Sequence, residues 1–376
     1  MSILIVDDSM LNLAYLRHVL TEAGYEDIQT AYSAEAALER LGMDGGKVPR
    51  KAAPFDLILL DIVMPDMDGI EACRLIKNCP PYSDLPIIFL TGDRRHFKEA
   101  FGAGGMDFIE KGAPEYELLA RVQSAIRLKQ ETDIRKSRET GLIKELHLAK
   151  RVQKSVLPPP FVEPDIQIHS QYIQSDEVSG DMFYWTRIDE NRCGVILIDV
   201  AGHGLSSALI SMSVRSLLAG MVKRLAEPVE VCRELNKQIL SLFGGKRGAV
   251  YLTAIYLLID IPAGEIRYFN AGHPPGLLFC EDRPAQYLEG TGVPLGLRKT
   301  LKGESGVCRF DGASKILLYT DGLVETPRAS IRDGIRELET YSSRIRYLPN
   351  ERFTEKLAER GRGKEDDVCI VSIQLG

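Results

Sequence analysis

Acidic, hydroxyl and amine side chains follow short apolar runs in the first third of the chain. Asp7 and Asp8 follow the first run, Asp61 and Thr91 end two later runs, and Lys111 follows the last. Crowded carboxylates repel one another and need a divalent cation, and an open site of hard oxygen ligands suits Mg²⁺. A phosphoryl group transferred to Asp61 would develop charge that the cation, Lys111 and the Thr91 hydroxyl could neutralise.

A second set of acidic residues lies in short segments, most of them glycine-rich, of the C-terminal half. The segments are Ser179-Gly180-Asp181, Asp199 to Gly204, Thr320 to Glu325 and Glu365-Asp366-Asp367. Glycine beside aspartate allows close approach of the backbone, so a neighbouring carbonyl could also be a ligand. A carboxylate set without Cys or clustered His favours Mg²⁺ or Mn²⁺ over Zn²⁺. Two bridged ions could hold a phosphate and generate hydroxide from water, without a covalent intermediate.

Each of these residues also has a structural interpretation when it is considered alone. Asp8-Ser9 could cap a helix, and an Asp-Gly pair is more often a turn than a metal site. An isolated lysine is usually solvated, and His203 and His273 could be structural histidines. The functional interpretation depends on the ordered sets rather than on any single member.

The elements that must position the first set are predicted to form a parallel sheet. Near-continuous apolar strands separated by helical patterns are typical of a sheet that is covered on both faces. The predicted strands are 3–6, 28–31, 57–60, 85–90 and 106–109. Five βα units in residues 1–125 predict a flavodoxin-like, doubly wound α/β domain with its site at the carboxyl ends of the strands. The stretch 42–54 is a loop longer than such units need.

Residues 113–157 are predicted to be helical, and residues 126–157 form a linker between two domains. Apolar residues at heptad spacing, with polar Gln153 in the same stripe, are Leu142, Leu146, Ala149 and Val156. This pattern fits either a short coiled coil that pairs two chains in parallel or an amphipathic helix packed on its own domain. Thr140-Gly141 could join two helices, because glycine costs about 1 kcal/mol within one. Pro158-Pro159-Pro160 ends the helix.

The chain from 161 onward is predicted to be an α/β sandwich with antiparallel sheets. The predicted strands are 195–198, 251–261, 264–270, 275–279, 315–319 and 368–374, with helices over 206–225 and 228–243. The strands from 251 to 279 are expected to form a meander joined by Pro/Gly turns.

Length and composition limit the classes of function. The 376 residues suggest two or three domains, and a net charge of -6 argues against a nucleic-acid binder. The seven cysteines form no C-x-x-C pair, which is typical of a reducing compartment. Neither a signal peptide nor a membrane-spanning apolar stretch is recognised, so we expect a cytoplasmic protein.

The first domain resembles the response-regulator receiver family. It reproduces that family's acidic pair, its Asp61-x-x-Met-Pro-Asp-x-Asp-Gly run, its Thr and its Lys. The resemblance implies that Asp61 is the phosphoacceptor, served by a sensor histidine kinase. It also implies a Mg²⁺ ion on Asp8, Asp61 and the Val63 carbonyl, with Asp7 assisting. Thr91, Phe108 and Lys111 would be the switch residues. Gly112 departs from the usual Pro after the Lys, so a cis Lys-Pro bond is impossible and the geometry of the Lys111 loop is left open.

Residues 142–376, with the domain itself at 158–376, resemble the PPM (PP2C-type) protein Ser/Thr phosphatases. The branch is that of sporulation protein E and the sigma-B stress phosphatase, with Glu145 to Pro159, Asn270 to Pro275 and Gly292 to Gly296 as further landmarks. The resemblance implies that Asp199 bridges two Mn²⁺ or Mg²⁺ ions beside the Val200 carbonyl. Asp181, Asp321 and Asp366 would be the other catalytic metal ligands. Departures that remove no implied ligand are Ser179, Met182, Tyr184 and Cys369.

Together the two resemblances imply a two-component response regulator with a phosphatase effector. Its substrate would be a phosphorylated anti-sigma-factor antagonist. Phosphorylation of Asp61 is expected to activate the phosphatase, because the last receiver helix runs directly into the linker. We expect a homodimer that forms through the linker helix, and we expect neither a nucleic-acid partner nor a membrane partner. The alternative is a non-catalytic adaptor that binds a sigma or anti-sigma factor, but such adaptors lose acidic ligands that are all present here.

Overall fold

The computed structural model describes residues 1–43, 53–92, 95, 97–175, 178–244, 250–281, 283–325, 330–364 and 366–376. Most of the predicted loop 42–54, and Glu365 of the last acidic segment, lie outside these residues. The chain divides into two compact units, Met1–Leu142 (unit 1) and Ile143–Gly376 (unit 2). Each unit is described by itself.

Unit 1 is built on a parallel sheet of five strands in the order β2-β1-β3-β4-β5. Its strands are β1 (Ser2–Val6), β2 (Asp27–Ala31), β3 (Leu57–Asp61), β4 (Ile87–Thr91) and β5 (Asp107–Glu110). Its helices are α1 (Met10–Glu22), α2 (Ala34–Arg40), α3 (Gly69–Asn78), α4 (Phe97–Gly102) and the start of α5 (Glu115–Ser155). This is the predicted doubly wound fold, and the fold class is confirmed.

Side chains along the central strands point alternately to the two faces of the sheet, which divides the core of unit 1 into two layers. Leu4 and Leu60 pack in the layer with α2 and α3, whereas Ile5 and Leu59 pack with α1 and α5. Successive side chains of a strand point to opposite faces, so a strand covered on both faces must be apolar throughout. This explains why the strands appear in the sequence as unbroken apolar runs.

Helix α5 runs without a break from Glu115 to Ser155. The expected joint at Thr140-Gly141 is therefore wrong: the helix passes through Gly141, whose cost of about 1 kcal/mol is small in a helix of 41 residues. The heptad stripe has two different environments. Leu142 is 55% exposed, whereas Gln153 is fully buried and Val156, just beyond the helix, packs against the core of unit 2.

Unit 2 contains two antiparallel sheets in the residues described, with strand orders β14-β11-β10-β9-β8 and β13-β12-β15-β16-β7-β6. The first sheet comprises β8 (Met182–Arg187), β9 (Arg192–Val200), β10 (Leu252–Asp260), β11 (Glu265–Ala271) and β14 (Gly306–Arg309). The second comprises β6 (Phe161–Val162), β7 (Ile166–Ile173), β12 (Gly276–Phe279), β13 (Gln286–Leu288), β15 (Ser314–Tyr319) and β16 (Val368–Leu375). The helices are α6 (Leu205–Leu225), α7 (Pro228–Phe243), α8 (Ile331–Ile345) and α9 (Asn350–Gly361).

The predicted α/β sandwich is confirmed, but the meander is only partly right. Strands β10 and β11 pair as expected, whereas β12 pairs with β13 and β15 in the other sheet. The segment from Gly272 to Pro275 carries the chain from one sheet to the other, which short Pro/Gly turns do not reveal in a sequence.

The two sheets of unit 2 pack face to face and helices cover their outer faces. Leu197 of β9 and Val371 of β16 lie in the core between the sheets. Ile198 faces α6 and α7 on one outer side, and Ile370 faces α9 on the other. The layers are therefore helix, sheet, sheet, helix.

Helix α6 contradicts the expectation that no stretch is apolar and long enough to span a bilayer. Its 21 residues include a window with mean hydropathy 1.5. Seven of its residues, among them Val214 and Leu218, are buried, and the helix packs on β8 and β9. The apolar composition of α6 thus reflects its place in the core of unit 2.

Candidate functional site

The first carboxylate cluster lies at the carboxyl ends of β1 and β3. Asp7 and Asp8 directly follow β1, and Asp61 is the last residue of β3. One carboxylate oxygen from each of the three lies within 4.8 Å of the others. Asp7 and Asp61 are buried and Asp8 is exposed, so the cluster is open to solvent on one side.

Lys111 extends into this cluster from the end of β5. Its Nζ lies 2.6 Å from Asp61 Oδ2 and 2.9 Å from Asp7 Oδ2. Asn12 Nδ2 donates to both Asp7 oxygens, at 3.1 and 3.2 Å. Burial raises the pKa of Asp61, opposed by the hydrogen bond from Lys111 and reinforced by the Asp7 charge. Burial acts to lower the pKa of Lys111, but hydrogen bonds to Asp61 and Asp7 outweigh it and raise that pKa.

The remaining receiver residues surround the same edge of the sheet. Thr91 is the last residue of β4 and is buried, and its carbonyl accepts a hydrogen bond from Lys111 N at 2.7 Å. Phe108 is half-buried, with its ring edge-on to Phe101 at 6.0 Å. Val63 is 68% exposed, and its backbone N–H donates to Asp61 Oδ1 at 3.4 Å.

Two glycines settle local geometry that the sequence left open. Gly112 has φ +93°, and Lys111 still reaches both carboxylates without the usual proline after it. A β-carbon on Gly69 would lie 1.9 Å from the Asp61 carbonyl oxygen, so only glycine fits at that position. The preceding residue, Asp68, caps α3 by accepting from Glu71 N at 2.7 Å.

The second carboxylate cluster comes from four segments of unit 2. Asp181 directly precedes β8, Asp199 lies near the end of β9, Asp321 follows β15, and Asp366 precedes β16. A β-carbon on Gly180 would lie 2.9 Å from the Val200 carbonyl oxygen. That close approach brings the Asp181 segment against the end of β9, as the glycine beside the aspartate predicts.

These carboxylates act on one another electrostatically. Burial, followed by the charges of Asp321 and Asp366, raises the pKa of Asp199 to about 7. Burial and the Asp199 charge raise the pKa of Asp181 well above its usual range, partly offset by the Thr320 hydroxyl. Burial and the nearby Glu325 raise the pKa of Asp321. Among the described residues, no Lys or Arg forms an ion pair with these aspartates.

Sequence analysis missed several residues that hold this cluster. Thr320 Oγ1 donates to Asp181 Oδ2 at 2.7 Å and accepts from Cys369 N at 2.9 Å. Ser179, noted only as a departure from a common glycine, accepts from Asp181 N at 3.0 Å through its hydroxyl. The only signal was the position of these hydroxyls one or two residues before an aspartate.

The two adjacent aspartates before β16 have different surroundings. Asp367 is buried, and its Oδ1 accepts from Ser175 N at 2.9 Å and from Ser175 Oγ at 3.0 Å. Asp366 is exposed, and its Oδ1 accepts from Asp367 N at 2.8 Å.

The two histidines of the glycine-rich segments also differ. His203 is exposed. His273 is buried between Thr253 Oγ1, at 2.7 Å from its Nδ1, and the Tyr319 carbonyl, at 3.1 Å from its Nε2. Burial lowers the pKa of His273 to about 3. It is therefore a neutral structural residue, in agreement with the structural interpretation of this histidine given above.

The donor chemistry of both clusters fits hard divalent cations. In unit 1, three carboxylates converge within 4.8 Å. In unit 2, the described carboxylates do not converge that tightly, but Asp181 is buried, Asp199 and Asp321 are half-buried, and the described residues pair no Lys or Arg with them. Oxygen-only sites of this kind suit Mg²⁺ or Mn²⁺.

Comparison with known proteins places both parts of the chain. The family of stage II sporulation protein E (SpoIIE) matches residues 189–376, half of the chain. The chain belongs to this family. The response regulator receiver domain family matches residues 3–123, so the chain joins a receiver domain to a SpoIIE-type domain. Phosphatases of this type imply a divalent metal requirement.

Individual relatives agree with this assignment. Phosphoserine phosphatase RsbP of Bacillus subtilis is 39% identical over 236 residues, which are 62% of this chain and 58% of that protein. The chain thus spans less than two thirds of that relative. The crystal structure of the RsbU and RsbW domains of Rv1364c from Mycobacterium tuberculosis is 28% identical, with TM-score 0.51, over 57% of this chain and 61% of that one. The SiaA-PP2C domain of Pseudomonas aeruginosa shares the fold at 17% identity, with TM-score 0.53, over 63% of this chain and 98% of that one.

Proposed function

We propose that this chain is a two-component response regulator whose effector is a metal-dependent protein Ser/Thr phosphatase. The observation that carries the proposal is the cluster of mutually repelling aspartates in unit 2, brought together from four separate segments, with Asp181 buried and Asp199 and Asp321 half-buried. Mutual repulsion in a buried site destabilises the fold unless bound cations offset it. A site for cations is therefore the simplest reason for the arrangement.

In the proposed site, Asp199 would be shared between two divalent ions, with the Val200 carbonyl beside it. Asp181, Asp321 and Asp366 would complete the ligands. Asp366 is preferred to Asp367 because the Asp367 carboxylate is already engaged by Ser175, whereas Asp366 is exposed. When bound, the ions would supply a hydroxide from water and neutralise the charge of a phosphate monoester. Thr320 would orient Asp181 for this role.

In unit 1, Asp61 is the proposed phosphoacceptor, with Mg²⁺ on Asp8, Asp61 and the Val63 carbonyl, and with Asp7 assisting. A phosphoryl group adds about -1.5 to -2 charge to Asp61. The Lys111 ammonium, 2.6 Å from the acceptor oxygen, would pair with that charge. Thr91 and Phe108 would then move inward, and we propose that this change activates the phosphatase.

The proposed partners follow from the two families. A sensor histidine kinase would supply the phosphoryl group, and the substrate would be a phosphorylated anti-sigma-factor antagonist in the cytoplasm. The proposed domains are the receiver at 1–125, a helical linker at 126–157 and the phosphatase at 158–376. Leu142 of the heptad stripe, 55% exposed on α5, supports a homodimer through the linker.

The adaptor alternative requires a site that binds no metal. The retention of all four aspartates, with the pKa of Asp199 raised to about 7 by burial and like charges, favours the enzyme. An adaptor would gain nothing from keeping such unfavourable charges buried.

Hydrolysis of p-nitrophenyl phosphate with Mn²⁺ tests the phosphatase. Wild type should turn over and Asp199→Asn should not, while the exposed Asp189→Asn serves as the matched control. If no variant is active, hydrolysis of a phosphorylated antagonist should be measured. An antagonist that stays phosphorylated with Mn²⁺ present would contradict the enzyme and favour the adaptor.

A small phosphodonor tests the switch. It should raise the turnover of wild type and leave Asp61→Asn at the basal rate. The switch model fails if Asp61→Asn turns over as fast as phosphorylated wild type.

A further inference from the structure

The side-chain amide of Gln153 is fully buried near the end of α5. Its Nε2 donates to the Ser179 carbonyl at 2.6 Å, and its Oε1 accepts from the Ser179 N–H at 3.1 Å. Nε2 also lies 3.3 Å from Ser211 Oγ on α6, and Oε1 accepts from Gln174 Nε2 at 3.0 Å. One amide therefore contacts three other segments of unit 2 and uses its donors and acceptor fully.

Gln153 pairs with both main-chain groups of Ser179, and Ser211 Oγ adds a longer hydrogen bond to the Ser179 carbonyl at 3.4 Å. Ser179 is fully buried and lies before β8 begins at Met182, outside the ladder of the sheet. Buried main-chain N–H and C=O groups need partners, and Gln153 supplies one to each. The amide thus makes the pair of main-chain hydrogen bonds that a neighbouring strand would make in a sheet.

Ser179 in turn holds Asp181. The Ser179 hydroxyl accepts from Asp181 N at 3.0 Å, while the Asp181 carboxylate accepts from Thr320 at 2.7 Å. Gly180 between them lies against the Val200 carbonyl, with no room for a β-carbon. A shift of Ser179 would therefore move Asp181 relative to Asp199 and Val200.

We propose that Gln153 is a positioning residue through which helix α5 holds the Asp181 segment in its metal-binding shape. Loss of the pair of hydrogen bonds to Ser179 would let the Asp181 segment shift and would weaken metal binding. This inference rests on the proposed function, because it takes Asp181 as a metal ligand. It concerns how that ligand is placed, not whether it binds.

The test compares Gln153→Met with Ser211→Ala. Gln153→Met keeps the length of the side chain but loses all four contacts. Ser211→Ala keeps both hydrogen bonds between Gln153 and Ser179 and removes only the longer contacts of Ser211 Oγ, to Gln153 Nε2 at 3.3 Å and to the Ser179 carbonyl at 3.4 Å. Both are made in the full chain with Asp7→Asn and Asp61→Asn, so that the receiver carboxylates bind little metal. Free Mn²⁺ is counted by electron paramagnetic resonance, and thermal unfolding is followed in chelator. Hydrolysis of p-nitrophenyl phosphate is measured against Mn²⁺ concentration.

Gln153→Met should weaken Mn²⁺ binding by about 10-fold or more, the usual effect of losing a group that orients a metal ligand. Its half-saturating Mn²⁺ concentration should rise by the same factor, with most turnover restored at saturating Mn²⁺. Ser211→Ala should change the affinity by less than about twofold, consistent with its weaker contacts.

An affinity within about twofold of the parent, together with a lower unfolding temperature, would make Gln153 a purely structural residue and overturn the proposal. If Gln153→Met does not fold, Ser179→Ala decides, and unchanged Mn²⁺ affinity in that variant overturns the proposal. Failure of the proposed function would give a different result. The parent would then bind no Mn²⁺ through unit 2, so adding Asp199→Asn to the parent would not change the amount of Mn²⁺ bound.

Discussion

The two carboxylate clusters of this chain balance their charge in different ways. In unit 1, Lys111 lies within hydrogen-bonding distance of Asp7 and Asp61, and Asn12 donates to Asp7. In unit 2, the described residues place no Lys or Arg in an ion pair with the aspartates, and neutral Thr320 is the group that donates to Asp181. The receiver cluster carries its own cation, whereas the proposed site in unit 2 would depend on cations from solution.

This difference suits the two proposed tasks. A site that must gain and lose a phosphoryl group benefits from a permanent cation that pairs with either form of Asp61. A site that must bind metal strongly benefits from carboxylates whose repulsion a bound metal relieves. The predictions below separate the clusters, from the largest expected effect to the smallest.

Asp321→Asn should disable the second cluster alone. Loss of Mn²⁺-dependent hydrolysis should exceed about 100-fold, because even groups that merely orient a ligand contribute about 10- to 100-fold. Phosphorylation of Asp61 by a small phosphodonor, followed by mass spectrometry, should be unchanged. Asp311→Asn at an exposed position is the control, and retention of a tenth of the activity in Asp321→Asn would contradict the assignment.

Metal binding to unit 2 should depend steeply on pH. The pKa of Asp199 is raised to about 7, so below that pH a proton must leave before metal binds. Mn²⁺ affinity should therefore fall as the pH drops below about 7, by about tenfold per pH unit for each proton that metal binding releases. Counting free Mn²⁺ between pH 6 and 8, with Asp7→Asn and Asp61→Asn present, measures this. A constant affinity over that range would argue against an essential Asp199.

Lys111→Met should make the receiver cluster more like the cluster in unit 2. Removing a cation that lies 2.6 Å from Asp61 Oδ2 should tighten Mg²⁺ binding by about threefold to tenfold. Calorimetric titration in an Asp199→Asn chain reports the receiver site, and exposed Lys98→Met is the control. Weaker binding of Mg²⁺ in Lys111→Met would mean that the lysine organises the carboxylates more than it competes with the metal.

Substitution of His273 should give the smallest effect, and it should change the stability of the fold rather than metal binding. Its folded pKa of about 3 lies below the unfolded value near 6.5, so the unfolded chain takes up the proton first as pH falls. The stability that His273 contributes is present above pH 6.5 and is lost progressively below it, by about 0.8 kcal/mol at pH 6.0. Urea unfolding of His273→Gln should lack this component, whereas exposed His18→Gln should retain it. Equal pH dependence in all three proteins would show that His273 is not held neutral.

Much of the fold could be predicted because its signals are local. The strands around Asp7, Asp61 and Thr91 are unbroken apolar runs, and the groups that follow them meet because parallel strands end at one edge. The segments around Asp199 and Asp321 likewise lie beside apolar strands. Periodicity and turn chemistry are enough to find such elements.

The features that could not be predicted from the sequence depend on contacts between residues that are distant along the chain. Gln153 and Ser179 are 26 residues apart, and no local rule indicates that an amide in a heptad stripe will serve the main chain of a loop. The pairing of β12 with β15 rather than β11 likewise joins segments distant along the chain, which a local pattern does not reveal. Gly141 did not break α5, because continuity of a long helix outweighs the local preference of one residue.

The glycines pressed against carbonyl oxygens have a genetic consequence. Every missense change of a glycine codon adds at least a β-carbon, and at Gly69 that atom would lie 1.9 Å from the Asp61 carbonyl oxygen. At Gly180 it would lie 2.9 Å from the Val200 carbonyl oxygen. In a saturation mutagenesis library, codons 69 and 180 should thus be as intolerant as those of the acidic residues themselves, although neither side chain carries any chemistry.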